Sequence, residues 1–429
     1  MKKLHSHRSI YLLFGVCWFS YCTAYLGRLN FTACIAAMEE TTLLTKVELG
    51  RVSSAFFLCY GGAQLFSGLL ADRIRPLWLV SIGLLGGAAV NFGMALSATA
   101  GQMTVLWALN GLLQSLVWTP MMKAVADLTE DAQCARTCVN LSTTTPAGTL
   151  AAYLMCVLCA ASGAGWRLAF WLGGAAMAAG GAVWLVGMRA LARISEREGI
   201  PAATEKEEKE RQGASGALRA LLCLTPVVLA SVMHGLLRDG IITWAPSYLQ
   251  ESFRFPAATS IALTMIVPPV NLAGVYAFNW LRNRLRWHET GTAAMAFAVC
   301  GAGIVLWATL GRGSVAITLM MLILSTTCMA GASTMLLSLL PLRFYRMGLL
   351  ATVIGLLNAS AYVGSALSSV GFGALSEQWG WTSVLVAWCA VSAAGAALCA
   401  MARGVRRAFP SERGRMPGRV PVMEGRSRV

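Results

Sequence analysis

Apolar residues run along this chain in blocks, each about twenty residues or longer, which is enough to cross the hydrocarbon core of a bilayer as a helix. About twelve blocks can be read, at roughly 9–34, 47–70, 76–98, 102–126, 135–162, 166–190, 219–250, 257–281, 289–310, 313–340, 348–375 and 381–402. Polar residues are confined to short intervals between them, so the pattern predicts an all-α integral membrane protein whose backbone groups are satisfied within helices. One polar interval is long: ARISEREGIPAATEKEEKERQGASG, whose Glu/Lys run reads as a solvated loop or short surface helix. It predicts five segments: a tail over 1–8, a six-helix bundle over 9–190, a linker over 191–218, a second six-helix bundle over 219–402 and a basic tail over 403–429. The halves echo one another. Gly165-Trp166 opens the sixth block as GWRLAFWLGGAAMAAGGAVW, and Gly380-Trp381 opens the twelfth as GWTSVLVAWCAVSAAGAALC.

Composition agrees with a membrane protein: 57% of residues are hydrophobic and 12% charged, about half the charge of a soluble domain. The net charge of +15 raises the question of nucleic acid, and its placement answers it. Of the 34 lysines and arginines, 27 lie in the two tails or in alternate intervals, at 73–75, 123–136, 189–219, 282–286 and 343–346. This is the positive-inside asymmetry, and it predicts a multi-pass protein of the cell (inner) membrane with both termini cytoplasmic. The basic tail then contacts anionic lipid, and no nucleic-acid partner is expected. The first block follows Lys2, Lys3 and Arg8 but is too long for a signal peptide and contains Arg28, so it reads as the first span. The 13 cysteines lie mostly inside apolar blocks. Cys156-Val-Leu-Cys159 has metal-ligand spacing but no second pair, and His5, His7, His234 and His288 do not complete it, so buried packing is expected and no metal or cofactor. No nucleophile or acid-base constellation appears, which argues against an enzyme.

Two residues break the apolar pattern deep inside blocks: Arg28 in the first block and Arg238 in the first block after the midpoint. An arginine at the bilayer centre costs about 2.5–3.5 kcal/mol, so it is kept where it faces a protein-lined cavity and meets an anion. Guanidinium offers planar donors that match phosphate oxygens bidentately, and it stays charged when partly dehydrated. At about 5 Å and an effective dielectric of about 20, each unit charge pair gains about 3 kcal/mol. Facing each other in an empty cavity, two such cations would disfavour closure without an anion, which favours exchange. Asp239 is the only acidic residue deep in a block. Successive helical positions point about 100° apart, so it need not touch Arg238; it serves either as a structural partner or as a proton-coupling carboxylate. Asn271, Asn358, Tyr362 and the bend-forming Pro268-Pro269 are candidates to line the second half of a cavity, although such residues also serve helix packing.

The chain resembles the organophosphate:phosphate antiporter family of the major facilitator superfamily, which includes bacterial glycerol-3-phosphate and hexose-phosphate transporters. AYLGRLNF around Arg28 is similar to the family's Tyr-x-x-Arg-x-Asn-Phe, and RDGIITWAPSYL from Arg238 to its Arg-x-Gly-x-x-x-Trp-x-Pro-Thr/Ser-Tyr-Leu. WALNGLLQSLVWTP at 107–120 is similar to the fourth-span Asn-Gly-x-x-Gln segment, and GLLADRIRP at 68–76 to the loop after the second span. The resemblance implies two pseudo-symmetric six-helix bundles that alternate access to a central site. It also implies a small organic anion exchanged for inorganic phosphate by a monomer in the lipid bilayer. It assigns substrate contact to Tyr25, Arg28 and Arg238, and gating contacts to Asp72 and Arg73. Departures are clear. Gln64 lies near a lysine of the family, and Thr143 or Thr144 near the fifth-span histidine of the glycerol-3-phosphate members. Gly235, with His234 beside it, replaces a tyrosine. The substrate set expected here is therefore Arg28, Arg238, Tyr25, Gln64, Thr143, Thr144, His234, Asn358 and Tyr362. Two other readings stay open: a membrane sensor of an external phosphate ester, and a proton-coupled carboxylate carrier using Asp239.

Overall fold

Hydrocarbon offers backbone amides no partner, and the described residues are helical almost throughout. The structure, a computed structural model, describes residues 3–130, 133–198, 224–344 and 350–402, less positions 5, 43, 134–136, 138, 139, 142, 164 and 286. Most of the expected linker and the whole basic tail lie outside the described residues. The first half contains α1 (His7–Thr41), α2 (Lys46–Arg73), α3 (Pro76–Leu96), α4 (Ala100–Leu128), α5 (Thr144–Ala161) and α6 (Gly165–Glu198). The second contains α7 (Thr225–Phe253), α8 (Ala257–Thr264), α9 (Val267–Leu285), α10 (Glu289–Leu310), α11 (Val315–Ser333) and α12 (Leu350–Met401).

Among the described residues, 9 helices are long and apolar enough to cross a membrane. The last of these turns back at Gly380 and crosses twice, while α8 and α9 together make one crossing. Adding α2 and α4, which at 28 and 29 residues are long enough to span, gives the twelve crossings expected from the apolar blocks.

Local chemistry explains the breaks. Thr45 and Glu48 form a reciprocal capping box that starts α2 just after α1 ends. Pro268 and Pro269 bring no N–H, and the chain is interrupted between α8 and α9 just before them. Gly165 and Gly380 both take φ near the left-handed region, at 75° and 73°. The sequence echo thus marks one repeated turn that L side chains rarely adopt.

Helices α7 and α12 cross at glycines. A Cβ placed on Gly235 would overlap the Ala361 carbonyl oxygen, and one on Gly364 would overlap that of Val232. This gives Gly235 a packing role: the tyrosine of the resembled family cannot fit this crossing, and its absence reflects helix approach. Gly235→Leu is expected to lower the melting temperature of the purified protein by the equivalent of at least about 1–3 kcal/mol, the usual cost of overpacking; an unchanged melting curve would contradict the crossing.

The two halves also meet at the end of the molecule where α1 gives way to α2. Lys46 pairs with Glu251, its backbone N–H and that of Val47 donate to Glu377, and Ser247 donates to Glu39 at 3.0 Å. Deeper, Ser369 donates to Ser53 at 3.2 Å and Ser54 to the Ala366 carbonyl.

Candidate functional site

Between the halves lies a cavity of about 630 Å³, lined from α1, α2, α4 and α5 on one side and from α7, α8, α9, α11 and α12 on the other. Arg28 and Arg238 both reach it.

Arg28 is positioned by buried amides. Asn91 and Asn110 each donate to the Gly27 carbonyl at 3.0 Å, Asn30 donates to Asn91 at 2.8 Å, and Gln114 donates to the Ala24 carbonyl at 3.3 Å. All four side chains are buried, and a buried amide is costly to leave unpaired, so this network fixes the register of α1 against α3 and α4. It also gives a physical role to the Asn-x-x-x-Gln spacing of α4. The Arg28 guanidinium carbon sits 4.4 Å from the ring centre of Tyr60 and 5.3 Å from that of Phe56. Such cation–π contacts stabilise a desolvated charge without consuming it. Among the described residues, no carboxylate forms an ion pair with Arg28.

Arg238 is held differently. Its Nε donates to Asp239 Oδ1 at 2.9 Å and its Nη2 to Oδ2 at 2.6 Å. Ser365 of α12 donates a further hydrogen bond to Oδ2, and the guanidinium carbon lies 5.8 Å from the Tyr362 ring centre. The expectation that Arg238 and Asp239 need not touch is thereby corrected: the Cβ directions diverge, but the flexible arginine stem wraps its fork around the neighbouring carboxylate. Asp239 is also the only carboxylate among the described cavity-lining residues, which include no cation besides Arg28 and Arg238. The formal charge of the empty site is therefore +1, and the repulsion between two bare guanidiniums expected from the sequence is already reduced.

The other candidates divide. Tyr25, Gln64 and Tyr362 line the cavity; the Tyr25 hydroxyl lies 3.0 Å from Thr145 Oγ1, and Gln64 donates to the Tyr60 hydroxyl at 3.3 Å. Thr143 and Thr144 are not brought to the cavity. Thr143 accepts from Trp18 at 3.0 Å, and Thr144 donates to the Leu141 carbonyl at 2.5 Å; Thr145 and Thr149 face inward instead. His234 is wholly buried, with Nε2 3.1 Å from the Met329 carbonyl oxygen, and is not among the lining residues. Asn358 donates back to Ile354 on its own helix at 2.9 Å. Asn271 and Pro268 do line the cavity. The Asp72 side chain lies outside the described residues, and Arg73 is exposed. Cys156 and Cys159 are buried free thiols, and among the described residues no group of three His, Cys, Asp or Glu side chains is placed to hold a metal ion.

Residues not singled out from sequence complete the site. Tyr60 lies one turn before Gln64 on the same face of α2, a spacing visible in the sequence. Phe56, Thr145 and Ser365 carried no such signal, since an aromatic or hydroxyl in an apolar block is ordinary packing material.

Twelve crossings among the described residues, with a charged cavity between the two halves, define a membrane transporter architecture, and the comparisons agree. Residues 17–353 match the family model of the Major Facilitator Superfamily, and the chain belongs to that superfamily. It is 21% identical over 431 residues to a probable hexose phosphate transport protein of Chlamydia muridarum, covering 90% of this chain and 89% of that one. It is 25% identical over 313 residues to the membrane sensor protein UhpC of Escherichia coli, covering 67% of each; a match to UhpC of Salmonella typhimurium spans only 22% of that protein. A bacterial homolog to the human lysosomal transporter Spinster, solved inward-facing and unoccupied, superposes with a TM-score of 0.71 at 15% identity, covering 94% of this chain and 96% of that one. The relatives accord with the resemblance to organophosphate:phosphate antiporters carried by the segments around Arg28 and Arg238.

Proposed function

We propose that this protein carries a small organic anion, a phosphate ester, across the inner membrane by alternating access, in exchange for inorganic phosphate. The observation that carries the reading is the convergence of Arg28 and Arg238, one from each half, on one cavity. A phosphate group bridging them ties the halves together, which couples binding to the rocking of one bundle against the other. The similarity to a hexose phosphate transport protein supports the same solute class. With both termini cytoplasmic, as the charge asymmetry favours, the contacts of Lys46 with Glu251 and Glu377 close the external face, which supports a solute path from the cavity to the inside. In this reading the carrier acts as a monomer. The second reading, a sensor of an external phosphate ester, is favoured by the similarity to UhpC.

Reconstitution separates them. Vesicles preloaded with inorganic phosphate are expected to take up labelled phosphate and to lose it to an external panel of phosphate esters by counterflow. Binding of an ester without any flux would favour the sensor, and flux of carboxylates alone would defeat the phosphate assignment.

A further inference from the structure

We propose that Asp239 is a tethered competitor for the transported anion. In the empty carrier it occupies the fork of Arg238, and a dianion takes that fork together with one proton, which moves from water to the Asp239 carboxylate. The inference rests on reading the cavity as a phosphate-class anion site and adds a proton count to it.

The geometry supplies the first step. Nε and Nη2 of Arg238 form the edge best suited to a bidentate oxyanion, and Asp239 holds both at 2.9 and 2.6 Å. A phosphate oxygen pair and the Asp239 oxygen pair cannot share that edge. Arg28, with aromatic faces and no ion-paired carboxylate among the described residues, is the open half of the clamp.

Charge supplies the second step. Among the described residues the lining groups sum to +1: Arg28 from α1, Arg238 and Asp239 from α7. A monoanion brings the loaded site to zero. A dianion brings it to −1 and sets a carboxylate against a doubly charged neighbour, and one proton on Asp239 restores zero. Protonation also releases the fork, because a neutral carboxyl no longer complements guanidinium, and its new O–H can donate to an oxygen of the anion. Ser365 on α12 keeps the carboxyl in place.

The groups facing Asp239 leave it as the proton site. Arg238 on α7 and Arg28 on α1 are guanidiniums, Tyr362 on α12 and Tyr60 on α2 present phenol hydroxyls, and His234 is buried off the cavity against the Met329 carbonyl. Monoanions alone and dianions with one proton are then equivalent loads, so a single charge state crosses the membrane.

Sulfate tests this, because it stays a dianion across neutral pH and any proton taken up must land on the protein. With the full chain in lipid nanodiscs, titration calorimetry in buffers of different ionisation enthalpy is expected to show about one proton taken up per sulfate bound. Affinity should fall about tenfold per pH unit between about pH 6 and 8. Asp239→Asn is expected to bind sulfate more tightly than the unaltered protein at the upper end of that range, with no pH dependence, while Asp239→Glu keeps the proton uptake. Sulfate or inorganic phosphate binding to the unaltered protein without the corresponding proton uptake would overturn the inference and leave the anion site standing; so would uptake that persists in Asp239→Asn. If Asp239→Asn does not fold, the proton count of the unaltered protein decides alone. Failure of both anions to bind would overturn the anion site itself, and this inference with it.

Discussion

Arg28→Lys is expected to abolish most phosphate counterflow even though it preserves the charge. The guanidinium carbon lies over the Tyr60 and Phe56 rings, at 4.4 and 5.3 Å from their centres, on the lining of the cavity. A lysine ammonium is a compact, strongly hydrated point charge that neither stacks in this way nor offers two parallel donors. Arg28→Gln, which removes the charge as well, is expected to do more: truncating one member of a buried, hydrogen-bonded charge pair costs about 2–5 kcal/mol, about 30-fold to several-thousand-fold in affinity. Both are measured as displacement of labelled phosphate from reconstituted vesicles, after gel filtration has shown that the variant inserts and stays monodisperse. Normal exchange by Arg28→Gln would return Arg28 to a packing role and end the two-arginine reading of the cavity.

The blocks of apolar residues made the twelve crossings legible, because a span must satisfy its backbone internally and its length is fixed by the bilayer. Arg28 and Arg238 were legible for the same reason, as expensive residues placed where hydrocarbon would be cheapest. What sequence could not resolve was angle. In Thr143-Thr144-Thr145 three hydroxyls follow one another, each rotated by about 100° on a helix, and only packing against α1 determines that Thr145 faces Tyr25. The pairing of Arg238 with Asp239 was missed because it depends on the reach of a flexible stem, and on Ser365, which lies 126 positions away. Gly235 read as a change in the binding site because a missing side chain looks the same whether it opens a cavity or admits a neighbouring backbone. The Ala361 carbonyl decides for the second.

Arg238→Gln is expected to damage the protein twice, and a second substitution should repair only one of the injuries. Removing the guanidinium strips Asp239 of both hydrogen bonds from Arg238 and leaves it the one from Ser365, on a carboxylate only 15% exposed. Breaking a fully buried ion pair from one side costs about 3–5 kcal/mol, since the remaining charge is left uncompensated; with side chains 25% and 15% exposed, this pair is part-buried and the cost is correspondingly smaller. The single variant should therefore insert poorly or melt early, and its loss of transport would by itself say little about the substrate. Adding Asp239→Asn removes the orphaned charge, and the amide retains hydrogen-bonding capacity toward Ser365. The double variant is thus expected to recover most of the melting temperature of the unaltered protein in detergent, so that it is more stable than the sum of the two single changes predicts. Transport should not return with it, because the anion still lacks one of its two guanidiniums. Recovery of both stability and phosphate exchange in the Arg238→Gln/Asp239→Asn protein would show that Arg238 exists to neutralise Asp239, and would leave Arg28 to bind the anion alone.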